Sequence, residues 1–415
     1  LIAPPPPPNL ISLSDCSFCR IGMERLGIGI IGTGCIGIEH LRNLLLLPSA
    51  RIVAAADPYQ PSRQSAVQCA ASSDMLLLDD YQELLKLDEV DAVIICTPND
   101  HHAEVLEHVM RSGKHCLVEK PLAIHVQDCS KAVAEERKLS QRALFWCAME
   151  YRYIPTIARL IAEADRGTIG TLRTLTIREN RFPFLRKVDN WNRTNARSGG
   201  TLVEKCCHFF DLMRRILKSE PRRVFASGGQ NVNHLTETDG SASASDILDN
   251  AYVIIEFESG ARSMLELCMF AEASKHQEEV CLIGTHGKLE AFAPSHGLKR
   301  DDATIINFRR GIRNAAFVHG EWDRTEPPPP EDCGELTEEH IPIDPQLLEA
   351  GNHAGATFEE LQRFTTAALG GGEAEVSLTD GAMAVLMGIA AQRSITSGLP
   401  ISWADMMEEY HAGMI

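Results

Sequence analysis

A glycine-rich segment near the start of the chain restricts the fold more than any other feature of the sequence. The segment Gly32-Thr33-Gly34-Cys35-Ile36-Gly37 has the pattern GxGxxG, and it lies between an apolar run at 26–31 and a helical pattern that ends at Leu47. Here the first glycine permits a tight turn, the second lets the backbone approach a pyrophosphate, and the third lets the helix pack closely on the strand. A pyrophosphate would lie at the helix N-terminus, where unpaired N–H groups favour negative charge.

The segment therefore predicts a dinucleotide-binding unit. Its cofactor contacts are expected from Gly32, Gly34, Cys35, Ile36 and Gly37. Asp57 closes the next strand at the offset of about 20 residues expected for the acid that binds the adenosine ribose hydroxyls. This carboxylate would repel a 2′-phosphate and favours NAD, although Arg63 nearby leaves NADP possible. The alternative is that the glycines serve packing alone and that Asp57 is a solvated strand end.

Short apolar runs and amphipathic segments alternate from residue 26 to about residue 147. Strands are predicted at 26–31, 51–56, 92–96, 115–118 and 143–147, and the helices between them at 62–71, 102–111 and 125–139. Such alternation is typical of a parallel sheet that helices cover on both faces. It predicts a six-strand, doubly wound Rossmann domain over residues 23–148.

The remainder of the chain, residues 149–415, has a different pattern. Its strand candidates are separated by turns rather than by long helices, and they lie near 172–184, 222–231, 251–258, 261–270 and 278–292. This succession predicts an antiparallel sheet, with helices at 154–164 and 201–217 and a loop at 326–345. Near the C-terminus a helical core stripe is formed by Ala382, Val385, Leu386 and Ile389.

Composition excludes several classes of partner. The formal charge is −17, which would repel a nucleic acid backbone. The longest leucine cluster, 44–47, ends at Pro48, far short of the roughly 20 apolar residues of a membrane helix. Thirteen cysteines, an odd number, indicate free thiols and a cytoplasmic location. No metal site is expected, because the pair Cys16 and Cys19 has no second CxxC or His pair at zinc-finger spacing and lies in residues 1–22, a proline-rich leader expected to be disordered.

Hydride transfer needs a proton acceptor and a group that stabilises alkoxide charge beside the cofactor. Lys120, in the sequence Glu119-Lys120-Pro121, follows the predicted fifth strand and can lie against a substrate oxygen. The alternative is a solvated lysine paired with Glu119.

Within the predicted helix 201–217, Glu204, His208 and Asp211 are spaced i, i+4, i+7 and so share one face. An imidazole between carboxylates suits proton exchange near neutral pH. The same residues could instead form a hydrogen-bonded seam of the core. Cys206 and Cys207 do not complete a metal set, since adjacent cysteines face different ways on a helix.

Together these elements resemble the glucose-fructose oxidoreductase, inositol dehydrogenase and rhizopine catabolism (Gfo/Idh/MocA) family from about Met23 to the C-terminus. Besides 32–37 and 119–121, the linked signatures are Asp57-Pro58, Thr97-Pro98-Asn99 with His102, Arg152-Tyr153-Ile154-Pro155, Gly199-Gly200-Thr201-Leu202 and His208-Phe209-Phe210-Asp211. Their shared order and spacing, rather than any single one, indicate the family.

The resemblance implies a Rossmann domain followed by a substrate-binding α+β domain. The second domain is expected to have a large, open, mainly antiparallel sheet that often forms the interface of a homodimer or homotetramer. Its C-terminal helices are expected to pack back on the first domain. Lys120, commonly held in a cis peptide before Pro121, would lie at the nicotinamide, with His208 as acid/base or its partner, and with Asp211 orienting the helix or His208. The residues implied to line the cofactor groove are Thr97, Pro98, Asn99, His102, Glu119 and Lys120, with Trp191 and Arg193 approaching it.

One position departs from the family pattern. Inositol-dehydrogenase-like members usually have Asp four residues before the histidine, whereas this chain has Glu204, followed by Lys205. The predicted function is hydride transfer between a nicotinamide cofactor and a secondary alcohol of a sugar or cyclitol, with the substrate left open. Two alternatives are an NAD-dependent glycosidase acting by transient oxidation and a non-catalytic, NAD(P)-sensing regulator.

Overall fold

The computed structural model describes residues 25–70, 74–139, 143–238, 244–294, 307–314 and 334–414. These residues form two β-sheets, one of six strands and one of nine. None of the described helices is long and apolar enough to cross a membrane. The predicted leader 1–22 and its CxxC pair lie outside the described residues.

The six-stranded sheet comes first in the chain and is parallel throughout. Its strands are β1 Leu26–Ile31, β2 Ala50–Ala56, β3 Leu76–Leu78, β4 Ala92–Ile95, β5 His115–Val118 and β6 Phe145–Cys147. They lie in the order β3-β2-β1-β4-β5-β6, so the order reverses between β1 and β4. Ligands of such sheets bind beyond the carboxyl ends of the strands at this reversal. The predicted Rossmann sheet is confirmed.

Helices cover both faces of this sheet, which explains why every residue of β1 is buried. They are α1 Cys35–Leu45, α2 Gln60–Cys69, α3 Tyr81–Leu85, α4 His102–Ser112 and α5 Val126–Lys138. Gly113 ends α4 with a φ of 73°, a left-handed conformation that glycine adopts without strain.

The nine-stranded sheet follows and is mainly antiparallel. Its strands are β7 Leu172–Asn180, β8 Pro221–Gly229, β9 Asn250–Phe257, β10 Arg262–Cys268, β11 His276–Gly284, β12 Gly287–Pro294, β13 Phe308–Arg313, β14 Gly334–Glu339 and β15 Ile401–Ser402. The order is β14-β13-β12-β11-β7-β10-β9-β8-β15, and β7 and β10 pair in parallel. Along β9, Ala251, Val253 and Ile255 are buried while Tyr252 and Ile254 are exposed, so one face of the sheet packs on the core.

The helices of the second part connect the two sheets. They are α6 Pro155–Asp165, α7 Asn195–Ser198, α8 Thr201–Glu204, α9 Cys207–Leu217, α10 Pro345–Ala350, α11 Ala356–Gly370, α12 Leu378–Ser397 and α13 Trp403–Ala412. The predicted core stripe lies in α12, where Ala382, Val385 and Leu386 are fully buried. α12 and α13 also pack on α5 of the first sheet, and Ser130 Oγ donates a hydrogen bond to the carbonyl of Tyr410.

Several elements, including α3 and β13, were not predicted from the sequence, and four further details differ from the predictions. The predicted strand 278–292 is two strands, β11 and β12, joined by a two-residue turn at Thr285 and His286. The predicted helix 201–217 is interrupted at 205–206, where the Cys206 N–H bonds the carbonyl of Thr201, five residues back, and widens the turn. The predicted loop 326–345 contains β14, which pairs with β13. The short strand β3 was not predicted, because a run of three leucines gives little periodicity.

Candidate active site

The glycine turn between β1 and α1 leaves open space at one position. Gly32 has a φ of 94°, and a Cβ on it would lie 2.5 Å from the carbonyl oxygen of Cys96. A Cβ on Gly37 would lie 2.1 Å from the carbonyl oxygen of Gly32, so this glycine is needed for packing. A Cβ on Gly34 would meet nothing within 4 Å, and Gly34 caps the N-terminus of α1. The free space therefore lies where a pyrophosphate meets the helix N–H groups.

Asp57 at the end of β2 is tied to this turn. Its Oδ2 accepts hydrogen bonds from the Thr33 N–H at 2.7 Å and the Thr33 hydroxyl at 3.2 Å. Its Oδ1 accepts one from the Tyr59 N–H at 2.8 Å. The guanidinium of Arg63 donates to the carbonyl of Asp57. The acid after β2 and the arginine of α2, which are expected to bear on the choice between NAD and NADP, are thus neighbours.

Lys120 connects the first sheet to α8. The Lys120–Pro121 peptide is cis, and Nζ of Lys120 donates a hydrogen bond of 2.9 Å to the backbone carbonyl of Glu204. Burial opposes the charge, but Glu204, Glu150 and Glu119 outweigh it and raise the pKa of Lys120. Lys120 therefore remains a cation, which suits it to stabilise negative charge on a substrate oxygen.

Glu119, beside Lys120, is buried and paired with a histidine of α1. Its Oε1 lies 2.7 Å from Nε2 of His40, and its Oε2 accepts a hydrogen bond from the Lys120 N–H. Although burial opposes ionisation, the hydrogen bond and charge of His40 lower the pKa of Glu119. Glu119 thus supplies a fixed negative charge behind Lys120.

Glu204 is held from two sides. The Asn99 amide donates to its Oε2 at 2.5 Å and to the carbonyl of Ser198 at 2.8 Å. Nζ of Lys187 lies 3.6 Å from its Oε1. Burial opposes ionisation, but Lys120 and Lys187 lower the pKa of Glu204 to about 2, so the side chain is a carboxylate at neutral pH.

His102 joins two of the loops at the carboxyl edge of the first sheet. Its Nδ1 lies 2.7 Å from the carbonyl of Pro121, and its Nε2 lies 2.9 Å from the carbonyl of Thr97. Burial lowers the pKa of His102, and a neutral imidazole has a single N–H to donate. The imidazole lies between the two carbonyls and donates to one of them at a time, so it packs between the Thr97-Pro98-Asn99 segment and the lysine loop.

His208, at the start of α9, is almost completely buried. Its ring stacks on Tyr151, with centroids 4.2 Å apart and planes at 10°. Its Nε2 lies 3.5 Å from Oε1 of Glu150, and its Nδ1 has no hydrogen-bond partner among the described residues. Burial first, and then the charges of Lys120 and Lys205, hold the pKa of His208 well below its ordinary value. The imidazole is thus neutral and has one nitrogen free to accept a proton.

Asp211, one turn further along α9, contacts a different partner. Its two carboxylate oxygens accept hydrogen bonds of 2.6 and 2.5 Å from Nε and Nη2 of Arg152. Arg152 in turn donates to the carbonyl of Glu375, just before α12. Among the described contacts of Asp211 there is no hydrogen bond to His208. Asp211 therefore fixes α9 in the core, apart from Lys120, Glu204 and His208.

Comparison with known proteins identifies the family. Residues 26–145 match the NAD-binding Rossmann fold of an oxidoreductase family, and residues 163–402 match the C-terminal alpha/beta domain of the same family. The chain belongs to the Gfo/Idh/MocA oxidoreductase family. The family predicted from the linked sequence motifs is therefore confirmed.

Individual Gfo/Idh/MocA relatives extend over most of the chain. The myo-inositol 2-dehydrogenase of Thermotoga maritima is 25% identical over 368 residues, which are 89% of this chain and 96% of the relative. The scyllo-inositol 2-dehydrogenase (NAD(+)) of Bacillus subtilis is 28% identical over 264 residues, 63% of this chain and 72% of the relative. The structure of levoglucosan dehydrogenase in complex with NADH matches 91% of this chain and 99% of its own, with a TM-score of 0.73 at 19% identity, which shows a shared fold.

These matches confirm two further predictions. The chain is an NAD-dependent oxidoreductase of the dehydrogenase type, and the open space at Gly34 is compatible with the nicotinamide dinucleotide that its Rossmann domain binds. Among the described residues no group of three His, Cys, Asp or Glu side chains could hold a metal ion. The Trp191 ring lies beside Nζ of Lys187, a neighbour of Glu204. The guanidinium of Arg193 binds Glu237, and none of its described contacts is with Lys120, Glu204 or His208.

Four acidic and basic residues of this Gfo/Idh/MocA site were not predicted. They are Glu39 and His40 of α1, Glu150 after β6, and His353 before α11. Glu150 could have been found, because it follows the last strand of the parallel sheet at the carboxyl edge where such sites lie. His353 follows no recognisable pattern, and only the folded chain brings it to Glu39, 314 positions earlier.

Proposed function

We propose that the protein oxidises a secondary hydroxyl group of a sugar or cyclitol and passes the hydride to NAD+. The observation that carries this proposal is that a charged lysine after a strand of the first sheet lies near enough to a neutral, buried imidazole of the second part for its charge to lower the pKa of that imidazole. Lys120 and His208 supply the cation and the proton acceptor that alcohol oxidation needs. The names of the two inositol dehydrogenase relatives support a cyclitol as the first substrate to test.

Each side chain has a distinct role in this mechanism. Nδ1 of His208, the nitrogen without a described partner, accepts the hydroxyl proton. Nζ of Lys120 stabilises the developing alkoxide, and the Glu204 backbone carbonyl positions that ammonium group. The Glu204 carboxylate, fixed by Asn99, accepts a hydrogen bond from a neighbouring hydroxyl of the ring. When bound, the nicotinamide ring supplies the carbon that receives the hydride.

The remaining contacts of the dinucleotide are assigned from where each residue lies along the carboxyl edge of the first sheet. Gly32, Gly34, Cys35, Ile36 and Gly37 bind the pyrophosphate, and Asp57 binds the adenosine ribose. The loops after β4 and β5 line the nicotinamide half, with contacts from Thr97, Pro98, Asn99, His102, Glu119 and Lys120. NAD is the preferred cofactor because Asp57 opposes a 2′-phosphate, and Arg63 permits weaker use of NADP.

A panel of cyclitols and sugars, with NAD+ or NADP+ and absorbance of the reduced cofactor as the readout, tests this function. Lys120→Met and His208→Ala are each expected to lower kcat by about 10²–10⁴-fold, the range of a general acid or base, while titration with NADH still detects binding. Full turnover in both variants would contradict the assigned roles. Release of sugar without net NADH would indicate the glycosidase instead, and NAD binding with no turnover of any polyol would indicate a regulator.

We also propose that the protein is a cytoplasmic homodimer or homotetramer. The outer face of the nine-stranded sheet carries several exposed apolar side chains, namely Phe225, Tyr252, Ile254 and Ile283. Phe225 and Ile254 are cross-strand neighbours on β8 and β9, and an exposed apolar patch on a sheet face is typical of an interface between subunits. Light scattering of the wild type and of Ile254→Glu tests this, since the variant is expected to dissociate and a monomeric wild type would contradict it.

A further inference from the structure

A line of ionisable side chains leads away from His208. Oε1 of Glu150 lies 3.5 Å from Nε2 of His208 and 3.7 Å from Nε2 of His353. The other nitrogen of His353, Nδ1, lies 2.6 Å from Oε1 of Glu39. A single carboxylate oxygen thus faces two imidazoles, and a second carboxylate holds the outer imidazole in place.

Exposure to solvent increases along this line. The side chain of His208 is 2% exposed and that of Glu150 is 5% exposed. The side chain of His353 is 23% exposed. His353 is therefore the member of the line that exchanges protons with water, while His208 and Glu150 are shielded from it.

The protonated form of His208, which arises when the imidazole takes the hydroxyl proton of the substrate, is unfavourable. The ring is stacked on Tyr151 and cannot swing out to water, and the cations that face it are Lys120, Lys205, Arg181 and, when protonated, His353. A buried imidazolium beside these charges has few counterions within reach, apart from Glu150. A rapid reaction therefore needs a group that takes the proton from His208 while substrate and cofactor are bound.

We propose that Glu150 and His353 form a proton path from His208 to solvent, and that Glu39 orients His353 within it. The proposal rests on the proposed oxidation of an alcohol, and it adds three positioning residues to that reaction. Oε1 of Glu150 is the link, because it is the atom close to both imidazole nitrogens. Distances of 3.5 and 3.7 Å shorten to hydrogen bonds with small side-chain shifts when the reaction complex forms.

The protons balance along this path. The hydroxyl proton moves to Nδ1 of His208, and the proton on Nε2 of His208 moves to Oε1 of Glu150. Glu150 passes it to Nε2 of His353, and His353 releases one proton to water. When the product leaves, water in the cleft takes the proton on Nδ1 of His208 and the path returns one to Nε2, which restores the starting tautomer with no further net change.

The charges around the two outer groups predict how the path depends on pH. Burial opposes the charge on His353, but Glu39 and Glu150 outweigh both burial and Lys205 and raise the pKa of His353 to about 8. The pKa of Glu150 is raised, because burial and the charge of Glu119 outweigh the opposing charges of His353 and Lys120. Glu360 of α11 is the other acid nearby. A protonated His353 cannot accept a proton at Nε2, so oxidation should accelerate as pH rises through about 8.

The first test is the pH profile of kcat for polyol oxidation in Glu150→Gln, His353→Asn and Glu39→Gln. The first two are expected to lose at least about tenfold of kcat and the inflection near pH 8, with KM for NAD+ unchanged. In Glu39→Gln the inflection should move to lower pH, because the carboxylate that raises the pKa of His353 is gone. Free imidazole should restore part of the rate of His353→Asn. Unchanged profiles in an active enzyme would overturn the path and leave the proposed function intact.

A matched control is Glu360→Gln, which changes a buried acid of the same neighbourhood. Its Oε1 accepts hydrogen bonds from the Met149 N–H and the Trp146 indole, and no described contact joins it to His208 or His353. Burial, and then the charges of Glu150 and Glu119, raise the pKa of Glu360 well above its ordinary value, so its carboxyl is uncharged near neutral pH. Glu360→Gln therefore removes no charge beside Glu150 and should keep the wild-type profile. Melting curves identify any variant that does not fold, and His353→Gln is the substitute for His353→Asn in that event.

A second measurement does not require turnover. In protein labelled with ¹⁵N-histidine and saturated with NADH, the path predicts rapid exchange of the His208 N–H with water in the wild type. Exchange should slow at least about tenfold in Glu150→Gln and His353→Asn, with the signal assigned by its loss in His208→Gln. Equal exchange rates in all three proteins would overturn the path, whether or not a polyol is oxidised. A failure to oxidise any polyol would separately refute the proposed function.

Discussion

The glycine turn and the ionised cluster around Lys120 belong to one site but are built differently. The turn consists of six consecutive residues, and backbone conformation and empty space are its main features. The cluster combines side chains from positions as far apart as Glu39 and His353, and paired charges in a buried setting are its main feature. Binding of the dinucleotide therefore depends on local geometry, whereas the chemistry depends on the packing of the two parts of the chain.

The largest expected effect tests the buried ion pair between Asp211 and Arg152. Asp211→Ala leaves the Arg152 guanidinium buried, with Asp380 at 3.7 Å as its nearest described acid, and should lower the free energy of unfolding by about 3–5 kcal/mol. Denaturant titration measures this loss. The matched control is Asp165→Ala, which breaks partly exposed pairs with Arg215 and Lys218 and should cost about 1 kcal/mol or less. Similar values for the two variants would show that the buried charges do not hold this region together.

The second effect tests the open space at Gly34 in the glycine turn. A Cβ on Gly34 meets no protein atom within 4 Å, so Gly34→Val should fold normally but weaken NADH binding about 100-fold, or about 2.7 kcal/mol. Gly37→Val is the control, because its side chain would overlap the Gly32 carbonyl and should lower stability by about 1–3 kcal/mol. Calorimetric titration with NADH and a melting curve separate the two outcomes. Wild-type NADH affinity in Gly34→Val would place the pyrophosphate elsewhere.

The same difference explains what the sequence could predict. The Rossmann sheet, the glycine turn and the Lys120 loop are each encoded by adjacent residues, and they could be read from strand, turn and helix patterns. The predicted arrangement of Glu204, His208 and Asp211 was less accurate, because helical spacing places all three on one face. In the structure the helix is interrupted at 205–206, and Asp211 binds Arg152 instead. His353 and Glu39 could not be predicted, because side chains 314 positions apart meet only through tertiary packing.

The third effect concerns the contact that joins the two regions. Glu39 lies on α1, the helix that follows the glycine turn, and its carboxylate binds His353. Against burial, His353 lowers the pKa of Glu39 from 4.5 to about 2, so this contribution to stability is complete above pH 4.5 and is lost as pH falls through 2. The pKa of His353 is raised from 6.5 to about 8, so its contribution is complete below pH 6.5 and is lost as pH rises through 8.

The pair should therefore stabilise the protein most between pH 4.5 and 6.5. In that window Glu39→Gln should lower the free energy of unfolding by about 2 kcal/mol, with a smaller loss at pH 9. Glu359→Gln, which removes an exposed partner of Arg363, is the control and should show no such window. A loss that is equal at pH 5.5 and pH 9 would mean that the ion pair contributes nothing to the contact between the two regions.

The smallest effect concerns cofactor choice at the turn. Asp57→Asn keeps an oxygen that accepts the Thr33 N–H, so the turn should remain folded, but it removes the negative charge that opposes a 2′-phosphate. The ratio of kcat/KM for NADP+ to that for NAD+ should rise about tenfold, which corresponds to about 1.4 kcal/mol. In Asp57→Asn with Arg63→Ala the gain should disappear, because Arg63 is the neighbouring cation that can bind the phosphate. An unchanged ratio in the single variant would place the adenosine ribose away from Asp57, and the backbone of the turn alone would then account for dinucleotide binding.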